Sequence, residues 1–333
     1  MIQKRWSWKK IVLIVNLILY SSLDVWAQKE VLFEGFFKVL INKQHIGYSI
    51  TRYEYDSKSK NFYCTVFTRT GALGGNIIES LKAVSDANLV PLSYEYNTLI
   101  TDNQKSTSKK IEAKFIVPSK SKKNKNDSKK IKMLANVFQD GKLTKIENDL
   151  PNEEVFLSYF LVYKMLKSKV GIQTESRYTY DSIAEEKAAV VKKSVATVTG
   201  VEDVNGVKAY RVENKFDENP FLSFITDKGE LIKVVTPTTG VVAELVAKPN
   251  EAVGEFPFPT NTLKELYGEV PLGTANIQSK KLKEEAFKSV TEPPGDKKFG
   301  TPAGSEIQSK TEIIQKPIPK LDKELVSPKS KEK

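Results

Sequence analysis

One segment limits what this 333-residue chain can fold into more than any other. Residues 153–168 place Phe156, Tyr159, Phe160, Tyr163 and Leu166 on one helical stripe, which Leu157 and Leu161 widen until the segment is apolar almost all round. Pro151 and Asn152 lead into it, and Glu153 and Glu154 suit the positive end of a helix dipole. Lys164, Lys167, Lys169 and Gly171 suit the other end. A helix this apolar must be covered on more than one side. Strands are the only cover the rest of the chain offers, so the expectation is one central helix, 153–168, inside a sheet that bends around it.

From Val31 to Ala247 the sequence runs in short stretches of aromatic and β-branched residues separated by turn residues such as Asn42-Lys43, Asp140-Gly141 and Asn205-Gly206. Strands are expected at 31–41, 44–55, 62–69, 76–84, 90–98 and 111–117, and onward in the same rhythm. Tyr48, Ile50, Arg52 and Glu54 alternate with Ser49, Thr51, Tyr53 and Tyr55, which implies one face toward a core and the other toward water. The expected class is mainly β (α+β), a curved antiparallel sheet or half-barrel wrapped on one central helix. Cys64, the only cysteine, shares a face with Phe62 and Val66 and reads as a small buried apolar residue. An intramolecular disulfide is impossible.

The first residues follow the order of a secretion signal. Lys4, Arg5, Lys9 and Lys10 precede an apolar run, Ile11 to Tyr20, broken only by Asn16. A run of about ten residues is too short to span a bilayer, which needs roughly twenty. Val25 and Ala27 then suit a cut before Gln28. The expectation is a cleavable signal peptide over 1–27, with retention as an N-terminal anchor the alternative, and a periplasmic or extracellular location. A half-barrel over 28–247 follows. Residues 248–333 hold ten of the fifteen prolines and dense mixed charge, and read as a disordered tail.

The formal net charge of +11 is unevenly placed. Residues 28–247 carry +6, and the segment 118–132 alone supplies as much, through Lys120, Lys122, Lys123, Lys125, Lys129, Lys130 and Lys132 against Asp127. That segment has no aromatic residue and no arginine fork, so nucleic acid is not the expected partner. An inert solvated loop and a contact for an anionic envelope surface both remain open.

Catalytic and metal-binding chemistry finds few residues. His45 is the only histidine, Gly71 to Gly75 lacks the lysine of a phosphate loop, and Asp181, Glu185 and Glu186 read as solvated loop carboxylates. No catalytic residue, metal ligand or cofactor is expected. Phe156, Tyr159, Phe160 and Tyr163 read either as plain core or as the wall of a ligand hollow.

The opening hairpin from Phe37 to Tyr48, the segment Val155 to Leu166 leading to Val170-Gly171, and the run Thr199 to Val212 together resemble the bacterial lipoprotein-carrier superfamily. That superfamily comprises the Lol-type carriers and related uncharacterised periplasmic domains. The likeness covers 31–247 and departs at the lysine segment and the tail. It implies an open half-barrel with an apolar hollow for acyl chains or another protein's hydrophobic segment. The expected function is therefore a non-enzymatic envelope binding module for a lipid-like or apolar peptide ligand. The alternative is an envelope structural or interaction protein with a solid core and a partner-binding tail.

Overall fold

The computed structural model describes residues 29–102, 105–116, 130–151 and 154–278. Alternation of apolar and polar residues produces fifteen strands, among the described residues, in one continuous sheet. They are β1 (Glu30–Ile41), β2 (Gln44–Asp56), β3 (Asn61–Thr70), β4 (Ile77–Asp86), β5 (Pro91–Asp102), β6 (Lys105–Ile116), β7 (Lys132–Gln139) and β8 (Lys142–Asp149). After them come β9 (Phe156–Leu157), β10 (Arg177–Ala184), β11 (Ala189–Val204), β12 (Val207–Phe216), β13 (Asn219–Ile225), β14 (Leu231–Thr236) and β15 (Val241–Leu245). The order across the sheet is 8-7-6-5-4-3-2-1-15-14-13-12-11-10-9. β1 and β15 join the two meanders antiparallel, with Phe37 opposite Leu245. Among the described residues the only parallel pair is β9 with β10. The sheet is curved and unclosed, as expected from the strand pattern.

One cross-strand row shows why the sheet can bend over an insert. Phe33, Tyr53, Cys64, Ala83, Tyr94, Ala113, Ala135 and Ile146 are successive neighbours on the inner face. The four small residues in that row leave room that Val155, Phe156, Leu157 and Phe160 fill, all within one buried cluster. Cys64 belongs to this row and is fully buried. Burial pushes its thiol well above the ordinary range.

The insert departs from the expected helix. Residues 152–153 lie outside the described residues. Phe156–Leu157 is extended, Ser158–Phe160 is one 3-10 turn, and α1 covers only Leu161–Leu166. Phe156 and Leu157 align with Ser182 and Ile183 of β10, and this pairing holds the first turn open. Where almost every side chain is apolar, helical spacing and strand alternation are both satisfied. The tertiary partner decides.

Two further differences have local causes. β5 and β6 extend beyond the expected 90–98 and 111–117, because the largely exposed Leu99 to Asp102 and Lys105 to Ser108 pair with each other without an apolar pattern to signal it. The chain also stays ordered past the expected boundary at 247. Helices α2 (Pro249–Val253) and α3 (Thr260–Tyr267) form a strap on the outer face, where Ala252, Leu263 and Tyr267 pack on Phe36, Tyr48, Ile50 and Phe67. A few apolar side chains spaced among prolines suffice, although the composition averaged over 248–333 hides them. The remainder of the expected tail, 279–333, lies outside the described residues, as does the proposed leader.

Polar groups lock the strap. Glu34 and Arg52 form a buried ion pair, with Arg52 Nε donating to Glu34 at 2.6 Å, and Glu34 Oε1 also accepts the backbone N–H groups of Leu272 and Gly273. His45 Nε2 lies 2.9 Å from the carbonyl of Ala252, the Tyr48 hydroxyl donates to Pro257, and the Tyr267 hydroxyl donates to Ile50. Removing one partner of a satisfied buried ion pair strands the other charge, so Glu34→Ala is expected to cost about 3–5 kcal/mol of stability in chemical denaturation. A loss below ~1 kcal/mol, the range of an exposed pair, would contradict the lock. In native protein Cys64 should react with a thiol reagent only at the rate of unfolding.

Candidate functional site

The four aromatic residues singled out in the sequence lie in the filled interior. Phe156 and Phe160 are 1% and 0% exposed, and Tyr159 and Tyr163 are half-buried against the same cluster. Tyr163 packs with Tyr53 and Phe62 at centroid distances of 5.1 and 5.5 Å, and Phe156 with Tyr180 at 5.5 Å. The Tyr53 hydroxyl donates to the carbonyl of Tyr159 at 2.7 Å. The chain's own side chains thus occupy the concave face at this point.

Of the lysine segment, Lys120, Lys122, Lys123, Lys125 and Lys129 lie outside the described residues. Lys130 is exposed, and Lys132 is paired with Glu147 at 2.5 Å.

The site that sequence reading missed opens where the insert leaves the interior. Met165 anchors α1 in a second cluster with Ile172, Ala196, Val198, Val212 and Ile225. The turn between β13 and β14 closes on the same helix at Gly229. There φ is +78°, and an added Cβ would stand 2.7 Å from Val162 and Leu166, so only glycine fits. Beyond α1 the chain turns at Ser168, whose hydroxyl donates to the Met165 carbonyl, and the Tyr178 hydroxyl donates to Gly171. These bonds hold α1 beside the start of β10.

Between them lies an open cleft of about 530 Å³. Lys164, Lys167, Lys169 and Arg177 line it, over a floor that includes Leu161, Met165, Tyr178 and Tyr180, and no acidic residue is in its wall. No described acidic side chain forms an ion pair with any of the four cations. Lys164 is steadied over the Phe156 ring at 5.6 Å. A larger groove of about 1030 Å³ on the outer face differs in this respect, because its lining alternates Lys82, Lys114 and Lys145 with Glu95, Glu112 and Glu147 and neutralises itself. The cleft at α1 instead sets four cations, with no acidic side chain in the lining, over an apolar floor. Such a site suits an anion with an apolar flank.

A second overlooked residue is Glu185, expected to be solvated and found fully buried. The turn that carries it folds under β4–β6, where Lys109 donates to the Glu186 carbonyl at 2.7 Å. Ser158 Oγ donates to Glu185 Oε2 at 2.6 Å, while Glu185 Oε1 and the Tyr94 hydroxyl are buried without partners among the described residues. Burial, reinforced by the like charge of Glu186, pushes the Glu185 carboxyl up to about 8 against the Ser158 bond. No group of residues able to hold a metal ion occurs among the described residues.

The raised value sets a pH dependence. An unfolded glutamate ionises near pH 4.3, so the unfolded chain binds fewer protons than the folded one between there and about pH 8. Stability from this group is full below that window and is lost as pH rises through it. Glu185→Gln should therefore stabilise the fold more at pH 8 than at pH 5, by a difference on the order of 3 kcal/mol at ~1.4 kcal/mol per pH unit. Equal changes in denaturant midpoint at both pH values would contradict the buried neutral acid.

No protein-family model matches the sequence. No curated protein matches it either. Among solved structures, the chain is similar to a β-barrel-like protein of a domain of unknown function, DUF1849, from Brucella abortus. Identity is 12%, the TM-score is 0.41, and the match covers 66% of this chain and 97% of that one.

Proposed function

We propose that the chain is an exported, non-enzymatic binding module of the cell envelope that takes an anionic ligand with an apolar flank in the cleft between α1 and β10. The observation that carries this reading is the wall of Lys164, Lys167, Lys169 and Arg177, with no acidic side chain in the lining, set over Leu161, Met165, Tyr178 and Tyr180. Four cations held together repel one another, and a bound anion relieves that repulsion. The charged-then-apolar order of residues 4–20 supports export, and periplasm is the compartment that fits the resemblance to Lol-type carriers.

That resemblance would put acyl chains in the concave face. Phe156, Leu157 and Phe160 fill the hollow next to Tyr53 and Tyr94, which moves the ligand to the rim. The same filling favours a second reading, an envelope structural or interaction protein whose tail makes the contact.

An anionic apolar dye, anilinonaphthalene sulfonate, separates the two. The binding-module reading expects saturable dye fluorescence that falls with salt and drops severalfold in the variant Lys164→Gln, Lys167→Gln, Lys169→Gln, Arg177→Gln. Absence of binding, or binding unchanged in that variant, would leave the solid-core interaction protein as the better account.

A further inference from the structure

The cleft has a backbone feature that its charge alone does not require. β9 pairs with β10 only at Ser182 and Ile183, so from Arg177 to Tyr180 one edge of β10 bonds to β11 while the other has no strand partner among the described residues. Along such a stretch, alternate residues send their N–H and C=O groups away from the existing neighbour. Open edges accept extended chain, and proteins commonly protect them with charge or cover. Here the side chains that line the cleft beside the edge carry four cations and no carboxylate, which deters basic strands and attracts acidic ones.

Resting on the cleft reading above, we infer that the natural occupant is an extended acidic segment of a partner protein, added as a strand to β10 along Arg177–Tyr180. A lipid headgroup would satisfy the cations and leave the strand edge to water. An added strand satisfies both. The open stretch spans four residues, ~13 Å at about 3.3 Å per residue, and so fits a short linear segment.

β10 also sets the pattern of its guest. Arg177 and Thr179 are exposed on one face, while Tyr178 and Tyr180 are half-buried on the other. Side chains of a paired strand alternate in step, so acidic positions fall beside Arg177 and apolar positions beside the two tyrosines. α1 brings Lys164 and Lys167 toward the same channel from the opposite wall. The recognised class is thus a segment alternating acidic and small apolar residues, held by main-chain bonds and read by charge.

A synthetic peptide alternating Glu and Val, titrated into the full chain at low salt, tests this. The peptide should bind, and Gln in place of Glu should weaken it by about tenfold or more, as should N-methylation of every second amide, which removes the backbone donors while keeping the charge. Lys167→Ala, Lys169→Ala, Arg177→Ala, all exposed positions, should weaken the parent peptide by a similar factor, and hydrogen exchange should show new protection at 177–180 on binding. If the N-methylated peptide binds as well as its parent, strand addition is wrong although the cleft still selects anions. If phosphatidylglycerol vesicles bind through the cleft and the peptide does not, the occupant is a lipid surface and the inference falls while the cleft reading stands. If neither binds in a way that depends on the four cations, both are overturned.

Discussion

The structure depends on how the inner face of a bent sheet is filled. A sheet that curves back on itself leaves an apolar concavity, and its exposure to water would oppose the curvature. In this chain Cys64, Ala83, Ala113 and Ala135 deepen that concavity, and Phe156, Leu157 and Phe160 occupy it. β9 is only two residues long, yet it ties the insert to the far edge of the sheet while Tyr53 ties it to the near half. The two meanders are therefore joined twice, once through β1 and β15 and once through the insert.

Filling the concavity has a consequence for function. Once the interior is occupied, binding chemistry is displaced to where the insert emerges, and α1 is there. Its apolar side must face Met165's cluster, so its lysines face the cleft beside the start of β10. The same short β9 that completes the core pairs with β10 only at Ser182 and Ile183, and from Arg177 to Tyr180 that edge has no strand partner among the described residues. Core and cleft follow from one segment.

Much of the architecture was legible because strand alternation is a strong signal when one face is buried. Tyr48, Ile50 and Arg52 do lie on the opposite face from Tyr53, although the strap covers that face where water was expected, and hairpins form at Asn42-Lys43, Asp140-Gly141 and Asn205-Gly206. The extent of the central helix was not legible, since uniform apolarity at 155–163 fits either backbone and the pairing with Ser182 and Ile183 is set by residues some twenty-five positions away. Burial of Glu185 was hidden for a related reason. A carboxylate in a turn reads as solvated unless the packing of Ser158 and Tyr94 over it is known. The cleft was least visible of all, because Lys164, Lys167 and Lys169 looked like ordinary charges at a helix end, and only the return of β10 brings Arg177 beside them.

The outer strap shows the same limit from the other side. Prolines and charges signal disorder on average, but Ala252, Leu263 and Tyr267 each meet an apolar residue of β1–β3, and Glu34 supplies acceptors for the backbone that follows. Hydrogen exchange at the amides of Leu157 and Phe160 tests the central claim most directly. If the insert holds the sheet together, these amides exchange only when the whole molecule unfolds, as slowly as those of β2 and β3. Fast exchange there, with β2 and β3 still protected, would mean that the sheet keeps its curvature without the insert and would contradict the account.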